Sequence, residues 1–318
     1  MKKPDELEII KIFQGKFGLG SRFVPEDLES IPLLGQKVFV KADMLVQSTD
    51  APNGMTLAEM ARKSIVSCVS DFASKGIRPR YALISLALPR GISRKSVFGL
   101  ASGFASASKE FGVKIIGGDV NEGKEIIIDV SMFGTGSRIS RRGGAKVGDV
   151  VITTGPFGYA SSGLKIILEG IKAEKGFAKR CKGRVFLPKP RLEFGLQAAR
   201  YFTSSMDSSD GLSTTLNDMS SISSRRFVID RIPTGKDVVG FARKNKIDPT
   251  YLVFCGGEEY EIVATVPQKN IGVVRRIARR LGVDLFEIGR VASGKGVFLE
   301  TDTSHRTLER CGWVHFRS

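Results

Sequence analysis

Gly143-Gly144-Ala145-Lys146-Val147-Gly148-Asp149, running directly into Val150-Val151-Ile152-Thr153-Thr154, is a glycine-rich polar turn followed by an apolar, β-branched run. Such a stretch interrupts one unit and opens the next with a strand, so the expected domains are 1–142 and 143–318. Working back from it, Glu125 to Phe133 alternates as a strand, and Lys114 to Ile116 reads as a short strand emptying into Gly117-Gly118-Asp119. Ser93 to Phe111 has helical spacing before Gly112; Tyr81 to Leu88 is a strand stopped by Pro89. Leu57 to Lys75 is a helix ending at Gly76, and Val38 to Ala42 a strand that delivers Asp43. Working forward, the second half runs strand, glycine turn (Gly155 to Gly158), helix, the segment Leu187-Pro188-Lys189-Pro190-Arg191, and another helix. Met206-Asp207-Ser208-Ser209-Asp210-Gly211 follows, then a helix from Leu212, a basic amphipathic helix through Arg275 to Arg280, and short terminal strands. The fold class is α+β (mixed α/β) in two domains of similar size.

Length and composition agree with that architecture. The 318 residues are 42% hydrophobic and 26% charged, enough for two sizeable cores. Lys and Arg outnumber Asp and Glu by 49 to 33, a net charge of +16 that suits phosphate-bearing partners. Nucleic-acid binding would call for aromatics interleaved with the basic residues, and at 8% aromatic no such motif stands out. The N-terminus has no apolar h-region and no stretch is long enough to span a bilayer, so the expected setting is cytoplasmic, with no membrane partner. Cys68, Cys181, Cys255 and Cys311 lie far apart without a C-x-x-C pair, which suggests neither a zinc ribbon nor a disulfide framework.

The distinctive feature is where the acids sit. Glu26-Asp27, Asp43, Asp71, Asp119, Asp207 and Asp210 follow apolar runs or lie in glycine turns rather than on solvated helix faces. Converging carboxylates repel unless a cation holds them, and Mg2+ takes hard oxygen ligands together with substrate phosphates. Each acid taken alone reads equally well as a helix cap or turn residue. The pair Asp207 and Asp210 reads less easily that way, because it brings two carboxylates, the Ser209 hydroxyl and helix N-terminal amides to one point. In Gly117-Gly118-Asp119, residues without side chains let the backbone approach a phosphate. Of Arg138, Arg141, Arg142 and Lys146, one is expected to brace a polyphosphate and three to be solvated.

Other templates fail. Gly289 to Gly296 almost spells a P-loop, but Gly296 stands where Ser or Thr belongs. Protein-kinase triplets and a helix-opening G-x-G-x-x-G are missing. Two histidines, His305 and His315, give little support to a Ser-His-Asp hydrolase or a histidine-ligated zinc site.

With these residues in place, the chain resembles the thiamine-monophosphate kinase family of the aminoimidazole-ribonucleotide-synthetase-like superfamily. The resemblance rests on Ser70 to Gly76, Gly117-Gly118-Asp119, Arg142 to Asp149, Pro188 to Arg191, Met206 to Leu212, Gly256-Gly257-Glu258-Glu259-Tyr260-Glu261 and Gly312-Trp313-Val314-His315-Phe316, in family order along nearly the whole chain. It implies transfer of the ATP γ-phosphoryl group to thiamine monophosphate with several Mg2+ ions. By the resemblance Asp27 (or Glu26), Asp43, Asp71, Asp119, Asp207 and Asp210 hold metal, with Asp119, Asp207 and Asp210 closest to the chemistry. Gly118, Asp119, Arg142 and Ser209 contact ATP, while Glu258 and Trp313 contact the thiamine moiety and Asp50 is the third expected substrate residue. A homodimer built on a shared barrel of N-terminal strands is also implied. Three positions depart from the pattern: Pro25-Glu26-Asp27 replaces Gly-Asp-Asp, Ala42 replaces a Thr, and Asp50 ends the segment that usually carries a substrate-contacting His. The competing readings are another ATP-dependent synthetase of the superfamily and a basic nucleic-acid-binding module.

Overall fold

The Leu57–Lys75 helix organises the molecule, and its sequence explains its limits. Thr56 and Glu59 form a reciprocal capping box at its start, and Gly76, at φ +70°, ends it in a left-handed turn that a side chain would strain. From Cys68 through Lys75 every residue is buried, so its far half has no solvent face. It crosses the Arg94–Phe111 helix at Gly103, where a Cβ would come within 2.3 Å of the Ala58 carbonyl oxygen. The computed structural model describes residues 4–17, 26–33, 35–301 and 304–316.

Among the described residues, the first sheet holds β1 (Glu29–Leu33), β2 (Gln36–Val46), β3 (Pro79–Pro89), β4 (Lys114–Gly123) and β5 (Ile127–Gly136), in the order β1-β2-β5-β3-β4. The second holds β6 (Val150–Thr153), β7 (Ser204–Ser208), β8 (Arg226–Ile229), β9 (Glu261–Val266), β10 (Phe286–Ala292), β11 (Gly296–Thr301) and β12 (Ser304–Thr307), in the order β12-β11-β8-β10-β6-β9-β7. Neither helix nor strand occurs between Gly136 and Val150. The α+β architecture expected from the sequence is the one observed. The Leu57–Lys75 helix packs on β2 and β5 and also touches β7 and β9, so one hydrophobic cluster runs from Ile128 and Val130 to Ile262 and Ala264.

Two strands are longer than the periodicity suggests. β2 continues to Val46, which puts Asp43 inside the ladder opposite Val130 instead of at a strand end. β4 does not stop at Ile116; its parallel pairing with β3 carries it through Gly117, Gly118 and Asp119 to Gly123. Gly118 permits this, since a Cβ there would meet the Ile84 carbonyl oxygen at 1.7 Å.

Candidate active site

The site is a cavity of about 580 Å3 between the two sheets. Asp43 and Lys41 reach it from the buried face of β2, and Lys63 and Asp71 from the Leu57–Lys75 helix. Asp207, Ser209 and Asp210 reach it from the end of β7; Glu258 and Trp313 close the far side. The helix Leu212–Ser223 begins directly after Gly211 without a side-chain cap. Neither aspartate therefore serves as its cap.

At the floor, Asp27, Asp71 and Asp207 are all buried, with one carboxylate oxygen from each lying within 4.8 Å of the other two. Their charge is met unevenly. Lys75 Nζ, inaccessible to solvent, lies 3.0 Å from Asp27 and 3.1 Å from Glu26 and donates to the Ser205 carbonyl at 2.6 Å. Arg142 Nε donates to Asp27 at 2.5 Å, and Ser74 Oγ donates to the same carboxylate at 3.0 Å. Burial alone would raise the Asp27 pKa, but Lys75 and Arg142 beside it hold it below the ordinary value. Asp71 has Lys41 at 2.8 Å, yet burial and the neighbouring carboxylates push its pKa well up. Burial, with Asp27 adding to it, pushes Asp207 up to about 6. Asp43 and Asp210 are also raised, chiefly by burial. A buried, all-oxygen cluster with too little positive charge around it fits a hard divalent cation.

The expected residues do not all converge. Asp27 is in the carboxylate cluster, while Glu26 turns to Lys75 and to the Arg142 backbone N–H, which donates to it at 3.1 Å. Arg142 reaches the cluster; Arg138, Arg141 and Lys146 are exposed. Asp50 does line the cavity; its carboxylate accepts the Val46 backbone N–H at 2.7 Å and its carbonyl accepts from Lys63 Nζ at 2.7 Å, which ties its turn to the Leu57–Lys75 helix. Gly118 and Asp119 lie outside the cavity. Asp119 pairs with Ser85, which pairs with Asp129 and then Met44, so its side chain shares the sheet face opposite to that of Asp43. A one-residue difference in register changes the face, and no turn at Ile116 redirects it.

Three lysines went unnoticed in the sequence. Lys63 and Lys75 sit in the buried run of one helix, where a cation needs a partner, and Lys41 shares a strand face with Asp43. Lys63 Nζ lies 2.6 Å from Glu258. The loop around Glu258 is strained, with positive φ at Glu258 (71°) and Tyr260 (53°). It is held by Glu258 N–H donating to the Ser209 carbonyl at 2.6 Å and by buried Glu259, which accepts from the backbone N–H groups of Gly158 and Ala160. Burial, helped by Glu261, pushes Glu259 up to about 7. Arg191 of the proline-bracketed segment grips Glu261 through both carboxylate oxygens, at 2.5 and 2.6 Å, which gives that segment a bracing role.

The cysteine expectation is corrected. Cys255 and Cys311 form a disulfide across 56 residues, while Cys68 and Cys181 are buried free thiols. Pairing depends on Cα proximity, here 4.9 Å, which separation along the chain does not reveal.

Two family models, the N-terminal and C-terminal domains of AIR synthase related protein, match residues 29–137 and 146–302. The thiamine-monophosphate kinase of Nitrosopumilus maritimus (strain SCM1) is 49% identical over 317 residues, 100% of each chain. The chain belongs to the thiamine-monophosphate kinase family. The family's Pyrococcus horikoshii member is 35% identical over 319 residues, 100% of this chain and 98% of the relative. Among solved structures, AaThiL complexed with AMPPCP and TMP superposes with a TM-score of 0.86 at 26% identity, covering 99% of both chains. The thiamine monophosphate kinase of Aquifex aeolicus gives 0.82 at 26% identity, covering 93% of this chain and 97% of that one. Among the described residues, no helix is long and apolar enough to cross a membrane.

Proposed function

We propose that this chain transfers the γ-phosphoryl group of ATP to thiamine monophosphate, giving thiamine diphosphate and ADP. The observation that carries the reading is the buried Asp27, Asp71 and Asp207 cluster beside an uncapped helix N-terminus, in a family whose members bear that activity in their names. Asp27, Asp71 and Asp207 would hold Mg2+, with Asp43 and Asp210 within the same cavity. When bound, Mg2+ supplies charge neutralisation for two polyanions brought into line.

The acceptor is a phosphate oxygen already ionised near neutral pH, so the protein's task is positioning rather than proton abstraction. Arg142 spans the floor and the phosphate side, its guanidinium fixed by Asp27 and its N–H by Glu26. Ser209 lines the same cavity, just before the start of the Leu212–Ser223 helix, and its hydroxyl suits a phosphoryl oxygen. Glu258, with its charge shared by Lys63, and Trp313 at the mouth form the wall that receives the thiazolium and pyrimidine rings.

A homodimer belongs to the same reading. The outward face of the first sheet, the side that carries Asp119, exposes Met44, Tyr81 and Leu83, and edge strand β4 adds exposed Ile116 and Val120. Gly118 and Asp119 act, in this proposal, at that interface and not within the cavity of their own chain.

ADP release measured with thiamine monophosphate, thiamine or an aminoimidazole precursor as acceptor tests the assignment. Turnover is expected with thiamine monophosphate and Mg2+ and is expected to stop in excess chelator. Turnover only with the aminoimidazole precursor would replace this reading with a synthetase.

A further inference from the structure

The Cys255–Cys311 bond joins two segments that otherwise approach the cavity from opposite ends of the second domain. Cys255 immediately precedes Gly256-Gly257-Glu258, and Cys311 immediately precedes Gly312-Trp313; all seven residues line the cavity. This is the wall assigned above to the thiamine moiety, so the inference rests on that reading.

Apart from the disulfide, the strap that carries Trp313 is tied at its ends to Val297 and Glu6, through Leu308 N–H and His315 N–H, and between them to one helix. Asn217 Nδ2 donates to the Leu308 carbonyl at 3.0 Å, Cys311 N–H to Ser213 Oγ at 3.1 Å, and Trp313 N–H to the Asp210 carbonyl at 2.9 Å, all on the Leu212–Ser223 helix or the turn before it. None of these bonds reaches the Glu258 loop. The Trp313 ring is 57% exposed and meets His315 edge-on, so apolar packing does not anchor it to that loop either. The disulfide is the covalent link between the strap and residues 255–258, which have left-handed backbone at Glu258 and lean on Glu259 and Lys63 for their shape. The bond is also accessible. Cys311 is exposed and Cys255 half-buried at the cavity mouth, whereas Cys68 and Cys181 are fully buried.

We propose that Cys255–Cys311 is a redox-sensitive brace that sets the spacing between Glu258 and Trp313, so that its reduction by a dithiol loosens the thiamine-side wall and leaves the phosphate side intact. In the step, a thiolate of the dithiol attacks the Cys255 sulfur and the S–S bond breaks, the Cys311 sulfur leaving as a thiolate that takes up a proton. The second thiol of the reductant then displaces Cys255 from the mixed disulfide. Two protein thiols are formed and the reductant becomes a cyclic disulfide, with two electrons transferred. Departure of Cys311 is favoured by Ser213 Oγ, 3.1 Å from its sulfur, and by the nearby helix N-terminus.

Trp313 is the sole tryptophan, so its fluorescence reports the strap without reference to catalysis. The experiment compares the full chain before and after dithiothreitol, with thiol alkylation and mass measurement confirming that Cys255 and Cys311 have been released. Acrylamide quenching of Trp313 is expected to rise about twofold on reduction, as the strap gains freedom. The KM for thiamine monophosphate is expected to rise at least about threefold with the KM for ATP nearly unchanged, a loss confined to one substrate. The Cys255→Ser/Cys311→Ser variant should match the reduced chain and ignore dithiothreitol. Unchanged quenching after confirmed reduction, or a dithiothreitol response that persists in the double variant, overturns the brace. Should the chain phosphorylate no thiamine monophosphate in either state while Trp313 still responds, the brace is upheld and the kinase reading falls.

Discussion

Asp207→Asn separates a metal-binding cluster from a structural one because the two accounts predict opposite changes in the metal-free protein. Asp207 shares the floor with Asp27 and Asp71 at separations no greater than 4.8 Å. Two full charges at that distance repel by at least about 3.5 kcal/mol at an effective dielectric constant of about 20. The same balance is visible in titration: burial and Asp27 move the carboxyl from its ordinary 3.8 to about 6, which corresponds to about 3 kcal/mol against the ionised form. An amide of the same size removes that cost. Without metal at pH 8, the variant should therefore melt higher than the native chain, by about 2 °C or more for a gain of one to three kcal/mol. With Mg2+ the order should reverse, since the native chain gains stability from binding and the variant does not. Turnover should fall at least about a hundredfold, roughly 2.7 kcal/mol of transition-state stabilisation. Melting curves with Mg2+ or EDTA, paired with kcat, decide the matter. A variant with a native Mg2+-dependent rise in Tm and near-native kcat would refute the reasoning.

Three further outcomes follow from other parts of the structure. Trp313→Ala should raise the KM for thiamine monophosphate far more than that for ATP, as its exposed ring lies in the cavity wall assigned to the thiamine moiety; equal effects in steady-state kinetics would make the tryptophan a structural tuck. Glu259, at about 7, binds in the folded state a proton that the unfolded chain has already released. Its contribution to stability is complete below the unfolded value, near 4.5, and disappears as pH rises through about 7, so Glu259→Gln should flatten that decline in urea melts, by roughly 3 kcal/mol at pH 8; parallel native and variant profiles would contradict it. Lys75→Met leaves Asp27 and Glu26 without their buried cation and should cost about 3–5 kcal/mol, read as a fall in the chemical-denaturation midpoint; a loss under about 1 kcal/mol would show that Arg142 suffices.

Much of this site was legible because its acids occupy places where solvated charge seldom goes. Asp71 within a run of small and apolar helix residues, and Asp207 at the end of an apolar strand, both stood out and both lie on the cavity floor. Asp119 stood out for the same reason but shows the limit of that signal. A Gly-Gly pair looks like a turn in one dimension, whereas pairing with β3 keeps it extended and assigns its neighbour to the other sheet face. The counter-cations were harder to see, since a lysine in a sequence carries no mark of burial until the sheet that covers it is known. The disulfide was invisible for a related reason, being a property of two loops that meet only after both sheets have formed.

The Leu57–Lys75 helix has a consequence for what the enzyme is able to accommodate. It carries Lys63, which meets Glu258, then Asp71 in the cluster, then Lys75 beneath it. At 1.5 Å per residue these points are about 12 and 18 Å along one axis from the first, so the helix works as a ruler laid between the organic end of the acceptor and the phosphoryl end. Its capping box and left-handed terminus pin both ends, and Gly103 locks its roll against a neighbouring helix. One residue inserted between Lys63 and Asp71 would rotate the two out of phase by about 100°. A longer or shorter acceptor must therefore be met by residues 255–258 and the Trp313 strap, which makes those segments the adjustable jaw opposite a fixed scale.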